Sequence, residues 1–94
     1  MFRVRWKRSA VNELANLWIR ADSVQRQAIT TASHLIDQRL QADPYAEGES
    51  RPGGRRVLLV APLGITFRIE ADGQTVSVLC VWLFRQRGQS SPGA

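Results

Sequence analysis

The sequence predicts an α+β domain in the order β-α-α-β-β-β, a helical hairpin packed on one face of a four-stranded, largely antiparallel sheet. Three observations predict it. Phe2 to Lys7 and Ile65 to Glu70 alternate apolar and polar residues with the period of two that a half-buried strand requires. Between Ser9 and Ala42, apolar residues recur instead at spacings of three and four, the stripe of an amphipathic helix, and the repeat restarts once. Finally, Ala71-Asp72-Gly73-Gln74 separates two strand-like runs, and Asp-Gly is a hairpin signal because glycine accepts the positive φ such a turn needs.

In chain order, Phe2, Val4 and Trp6 form one face of the first strand and Arg3, Arg5 and Lys7 the other. Ser9 is the expected cap of a helix over Ala10 to Ala21 whose stripe is Val11, Leu14, Ala15 and Trp18. Asp22 or Ser23 caps a second helix, with Val24, Ala28, Ala32, Leu35, Ile36 and Leu40 as its stripe. It ends near Ala42, because Pro44 disfavours helical geometry at Asp43. Asp43 to Gly54, with two prolines and three glycines, reads as a long loop. Arg55 to Ala61 is the second expected strand, closed by a turn at Pro62-Leu63-Gly64, and Ile65 to Glu70 is the third. Thr75 to Leu83, nearly all apolar, reads as a strand covered on both faces in the middle of the sheet. A single domain over residues 1–87 and a flexible tail over 88–94 account for the chain.

Thirteen Lys and Arg against eight Asp and Glu give a formal charge of +5 on 94 residues, which points to a polyanionic partner or an acidic protein. Only Lys7 among the thirteen is a lysine. That bias suits phosphate, because guanidinium presents a planar fork of donors. Single Cys80 excludes an internal disulfide and a cysteine metal site, and its apolar strand predicts a buried thiol. No metal and no cofactor are expected: Gly53-Gly54-Arg55 lacks the spacing and lysine of a phosphate loop, and Glu47 and Glu49 lie in the long loop. No stretch is long and apolar enough for a membrane span, so a cytoplasmic protein is expected.

Arginines are the remaining candidates for chemistry. Arg51, Arg55 and Arg56 precede or open the second expected strand, Arg68 projects from the polar face of the third, and Arg85 and Arg87 follow the fourth. Convergence of these residues would make a phosphodiester site. Arginine stays protonated, however, so proton transfer would fall to Glu47, Glu49, His34, Tyr45 or Lys7. His34, the only histidine, belongs at the edge of the second helix's stripe as a partly exposed residue.

With the opening FRVRWKRSAVNELANLW and the closing GGRRVLLVAPLGITFRIEADGQTVSVLCVWLFRQR, the chain resembles the RelE/ParE superfamily from Phe2 to Arg87. These are toxins of bacterial type II toxin-antitoxin modules, some described as plasmid stabilisation proteins. The resemblance implies one of two activities. RelE-like members are endoribonucleases that cleave messenger RNA on the ribosome, whereas ParE-like members inhibit DNA gyrase without being enzymes; an inert, partner-binding relative is a third reading. It also implies a cognate antitoxin, for which Trp18, Trp82 and Phe84 are candidate contacts. Carried over by position, Arg55, Arg56 and Arg85 take the catalytic places, and Arg51, Arg68 and Arg87 are read as nucleic-acid contacts. Two features depart from the RelE pattern: Gly64 or Ile65 stands where an arginine is usual, and no tyrosine follows Phe84. Both departures resemble the ParE-like branch.

Overall fold

The computed structural model describes residues 1–84. The first strand, β1 (Arg3–Trp6), leads directly into α1 (Arg8–Arg20), and α2 (Ser23–Ala42) folds back on it. Single 3₁₀ turns at Pro44–Ala46 and Pro52–Gly54 flank β2 (Glu49–Arg51), after which come β3 (Arg55–Val60), β4 (Leu63–Ile69) and β5 (Thr75–Leu83). The sheet has five strands in the order β1-β5-β4-β3-β2, antiparallel except for the β1–β5 pair. The expected class therefore holds, with one strand more than the sequence predicts. Its three residues are all exposed, so no alternation marks β2; only backbone pairing with β3 defines it.

Gly48 brings the chain to that pairing. Its φ is +73°, and a Cβ there would lie 2.6 Å from the Val57 carbonyl oxygen, so both conformation and space demand glycine. At the other end of the β3–β4 hairpin the turn is tighter than expected. Leu63 and Gly64 belong to β4, paired with Leu83 and Trp82 of β5.

Buried apolar residues from alternate positions of β3, β4 and β5 meet Ile29, Ala32, Ile36 and Leu40 of α2, with Phe67 fully enclosed at the centre. Of the two expected caps of α2, Asp22 is the one used, and it forms a capping box: Asp22 accepts from the Gln25 amide at 2.8 Å and the Gln25 side chain accepts in return. Helix α1 differs. It begins at Arg8, and Ser9 is not its cap; the Ser9 hydroxyl instead donates to the Leu79 carbonyl at 3.5 Å. Continuity with the sheet explains the early start, since the Lys7 amide still donates to Val78 while the Lys7 carbonyl already accepts from Val11. Lying along β5, α1 also covers an edge amide: Glu13 accepts from the Val81 N–H at 2.9 Å.

The helix stripes are rotated from the expected ones. Ala10, Leu14 and Leu17 of α1 pack toward the core, while Val11, Trp18, Val24 and Leu35 are exposed. Cys80 is exposed as well, contrary to expectation. The cause is a bulge in β5. Thr66 pairs with Cys80 but Phe67 pairs with Val78, so Leu79 is an extra residue that reverses the alternation. Val81 thereby enters the core, and Cys80 and Trp82 turn to the opposite face. Only Thr75 to Val78 of β5 are buried on both faces.

Candidate nucleic-acid interface

The face of the sheet away from the helices carries the arginines. Residues directly opposite each other on paired strands project to the same side, so register alone assembles the face. Arg51 pairs with Arg55, Arg55 with Arg68, Arg68 with Ser77, and Ser77 with Arg5. Four arginines and one serine therefore stand in a single transverse row across all five strands. At about 4.8 Å between strands, the row is roughly 19 Å long.

Opposite charge along the row is sparse. Glu49, two residues from Arg51 on β2, pairs with it at 3.1 Å. Glu70 lies 3.8 Å from the Arg68 Nε, too far for a hydrogen bond. Arg5 and Arg55 make no ion pair or side-chain hydrogen bond among the described residues. Among the described residues two donors are also buried without partners, Nε of Arg68 and the hydroxyl of Ser77, neighbours in the row. Unpartnered buried donors of this kind cost free energy.

Arg56 does not share this face. Adjacent residues of a strand point to opposite sides, and Arg56 lies opposite Phe67 and Ser50. Its guanidinium donates to the Glu47 carbonyl at 2.9 Å, the Ser50 hydroxyl at 2.9 Å and the Tyr45 and Gly48 carbonyls at 3.3 and 3.4 Å. Those bonds tie the whole approach to β2 onto β3. Arg56 thus holds the strand that presents Arg51.

Sequence reasoning places Arg51, Arg55 and Arg68 among the candidates, and the structure brings these three together. Arg85 and Arg87 lie outside the described residues. It missed Arg5 and Ser77, which join the row only through the parallel β1–β5 pair; the polar face of β1 was the one available signal. Of the side chains able to move a proton, Glu49 and Glu70 flank the row, and Tyr45 shares a pocket with Arg51 and Arg55 at its β2 end. His34 is exposed on α2, in the other layer, and Tyr45 sits in the first 3₁₀ turn. Farther along the same face Trp82 lies over Gly64, where a Cβ would come within 2.5 Å of the indole. No group of three potential metal-ligating side chains occurs among the described residues.

A second surface lies on the helical hairpin. Val11, Leu14, Ala15, Trp18 and Ile19 of α1 and Ile29 of α2 line an apolar groove of about 440 Å³. At the end of α1 Arg26 stacks 4.3 Å from the Trp18 ring and donates to the Trp18 and Ile19 carbonyls at 2.9 and 3.1 Å. No helix of the described residues is long and apolar enough to cross a membrane.

The fold of this chain, a two-helix hairpin on a mostly antiparallel sheet, is shared with solved structures of RelE- and ParE-type toxins. Among solved structures, it is similar to the RelBE2 toxin-antitoxin complex of Mycobacterium tuberculosis, with a TM-score of 0.69 and 16% identity over 90% of this chain and 93% of that one. The chromosomal ParDE system of P. aeruginosa matches with a TM-score of 0.62 and 19% identity over 90% and 98% of the two chains. The intact RelBE complex of E. coli matches at 0.59 and 13% over 92% and 100%. No protein-family model and no curated protein matches the sequence. At such identities, what the chain shares with these structures is the fold.

Proposed function

We propose that this chain is the toxin of a type II toxin-antitoxin module, acting in the bacterial cytoplasm on messenger RNA at the ribosome through the open face of its sheet. The observation that carries the proposal is the row Arg51-Arg55-Arg68-Ser77-Arg5. Fixed guanidinium groups in a row neutralise successive phosphates, and at the scissile one they stabilise charge developing on the oxygens. Arg55 and Arg68 hold the central positions, Arg51 and Arg5 extend the track, and Arg56 positions β2 from behind. Arg85 and Arg87 are added as phosphate contacts on sequence position alone. Glu49 is the carboxylate best placed to accept a proton from an attacking hydroxyl.

The apolar groove of the hairpin is the proposed antitoxin surface. RelBE2, ParDE and RelBE were solved as toxin-antitoxin systems or complexes, and an amphipathic helix with acidic flanks suits both the groove and the +5 charge.

One observation favours a second reading, gyrase inhibition in the manner of ParE. Beyond two carboxylates and the Tyr45 phenol, no proton-carrying side chain borders the row among the described residues, so a binding surface without catalysis fits it too. Induction of the chain in a bacterial host, with transcript integrity and DNA-damage signalling followed in the same cells, separates the two. Ribosome-dependent transcript cleavage without a damage response is expected; damage signalling with intact transcripts would assign the gyrase reading.

A further inference from the structure

At the β2 end of the row, the sheet opens into a pocket of about 250 Å³ whose lining includes Tyr45, Arg51, Gly54, Arg55, Arg56 and Ile69. Arg51 and Arg55 belong both to this pocket and to the row, whereas Arg56 and Ile69 come from the helix-covered face, so the pocket wraps around the end of the sheet and adjoins the row there. The pocket differs in character, because it adds an aromatic ring and an aliphatic wall to the charge. Tyr45 is 60% exposed, yet its position is fixed from three sides. Its amide donates to the Asp43 carboxylate at 3.2 Å, its carbonyl accepts from Arg56 at 3.3 Å, and its ring meets Phe2 edge-on with centroids 5.9 Å apart and planes at 70°.

A rigid, solvent-facing phenol ring beside planar guanidinium groups has the composition of a base-stacking platform, in which a π-face takes the base and cations take the backbone. An acidic peptide would use the arginines but has no need of the ring or of Ile69. Resting on the reading of the row as a nucleic-acid track, we infer that this pocket is a nucleobase subsite: Tyr45 stacks on an unpaired base while Arg51 and Arg55 hold its flanking phosphates. The turn Pro44–Ala46, held by Arg56, presets the ring before the ligand arrives. The subsite makes the interface selective for single strands, since a paired base cannot reach the ring.

The test uses the full chain and two fluorescent probes, a short oligouridine and an abasic ribose-phosphate strand of the same length. The parent is expected to prefer the oligouridine, by roughly five- to one-hundred-fold for one stacked base. Tyr45→Ala should abolish that preference while leaving the abasic affinity unchanged, and Tyr45→Trp should retain it; circular dichroism confirms that both variants fold. Equal binding of the two probes by the parent overturns the subsite and keeps the phosphate track. Binding of neither probe overturns the track as well. Dependence on Tyr45 for a polyglutamate peptide but not for the oligouridine replaces the inference with an acidic-peptide site.

Discussion

The helix-covered face and the open face of the sheet take alternate residues from the same strands, yet they are built to different ends. On one side Leu58, Val60, Leu63, Ile65, Phe67, Val76 and Val78 are buried against α2. The other carries Arg55, Arg68, Ser77 and Arg5, with two buried donors left unpaired among the described residues. Burial of apolar area drives folding, whereas a row of like charges opposes it by mutual repulsion. One face therefore supplies stability, and the other retains features that stability alone would remove. Such a contrast is what a binding surface on a rigid scaffold looks like.

Substitutions on the two faces should sharpen that contrast. The largest effect belongs to the covered face: Phe67→Ala removes a fully enclosed ring and should lower unfolding free energy by about 3–5 kcal/mol in a denaturant titration. A loss below about 1 kcal/mol would mean that the core is not packed as described. Arg56→Ala comes next, at about 1–2 kcal/mol, because carbonyls around β2 lose their donor but several of them reach solvent. It should weaken RNA binding by releasing Arg51, and combining it with Arg51→Ala should add little further loss of affinity. Full additivity in that cycle would show that Arg56 does not act through Arg51.

Arg55→Ala should leave stability within about 0.5 kcal/mol of the parent, since Arg55 has no partner among the described residues. Its signature is in binding. The slope of log affinity for single-stranded RNA against log salt should fall by about 0.7, the share of one phosphate contact. An unchanged slope removes Arg55 from the track.

The smallest effect concerns the β4–β5 turn, far from either function. Accepting bonds from the Gln74 amide first, and from the Thr75 hydroxyl and amide, holds the Asp72 carboxyl below its ordinary value of 3.8. A depressed folded-state pKa gives stability that is present above the unfolded value and lost as pH falls through the folded one. The thermal midpoint of the parent should therefore exceed that of Asp72→Asn at neutral pH, and the gap should close below about pH 4. A gap independent of pH would point to the turn's shape instead of its charge.

Much of this architecture was legible in the sequence, for physical reasons that also mark where legibility stops. Alternation in Phe2 to Lys7 and Ile65 to Glu70, and the repeats within the helices, follow from burial of one face, so they appear in the residues themselves. Strand β2 has no buried face and so left no pattern; backbone pairing made it. The bulge at Leu79 is likewise a matter of register, and it turned Cys80 outward from a run that looked uniformly apolar. The same limit applies to the site. Arg51, Arg55 and Arg68 were legible as residue types, but their alignment depends on the β2–β3 and β3–β4 registers. Arg5 and Ser77 depend on a pairing between the two ends of the described chain. Arg56, by contrast, stands next to Arg55 in a strand, and alternation alone places it on the other face.

The most direct test of the row as the functional surface is growth of a bacterial host on induction of Arg51→Ala/Arg55→Ala/Arg68→Ala beside the parent, with soluble protein and thermal midpoint matched. The expected result is arrest by the parent and continued growth with the triple variant, which keeps the fold because these side chains lie outside the core. Arrest by the folded triple variant equal to that of the parent would contradict it and move the activity to another surface.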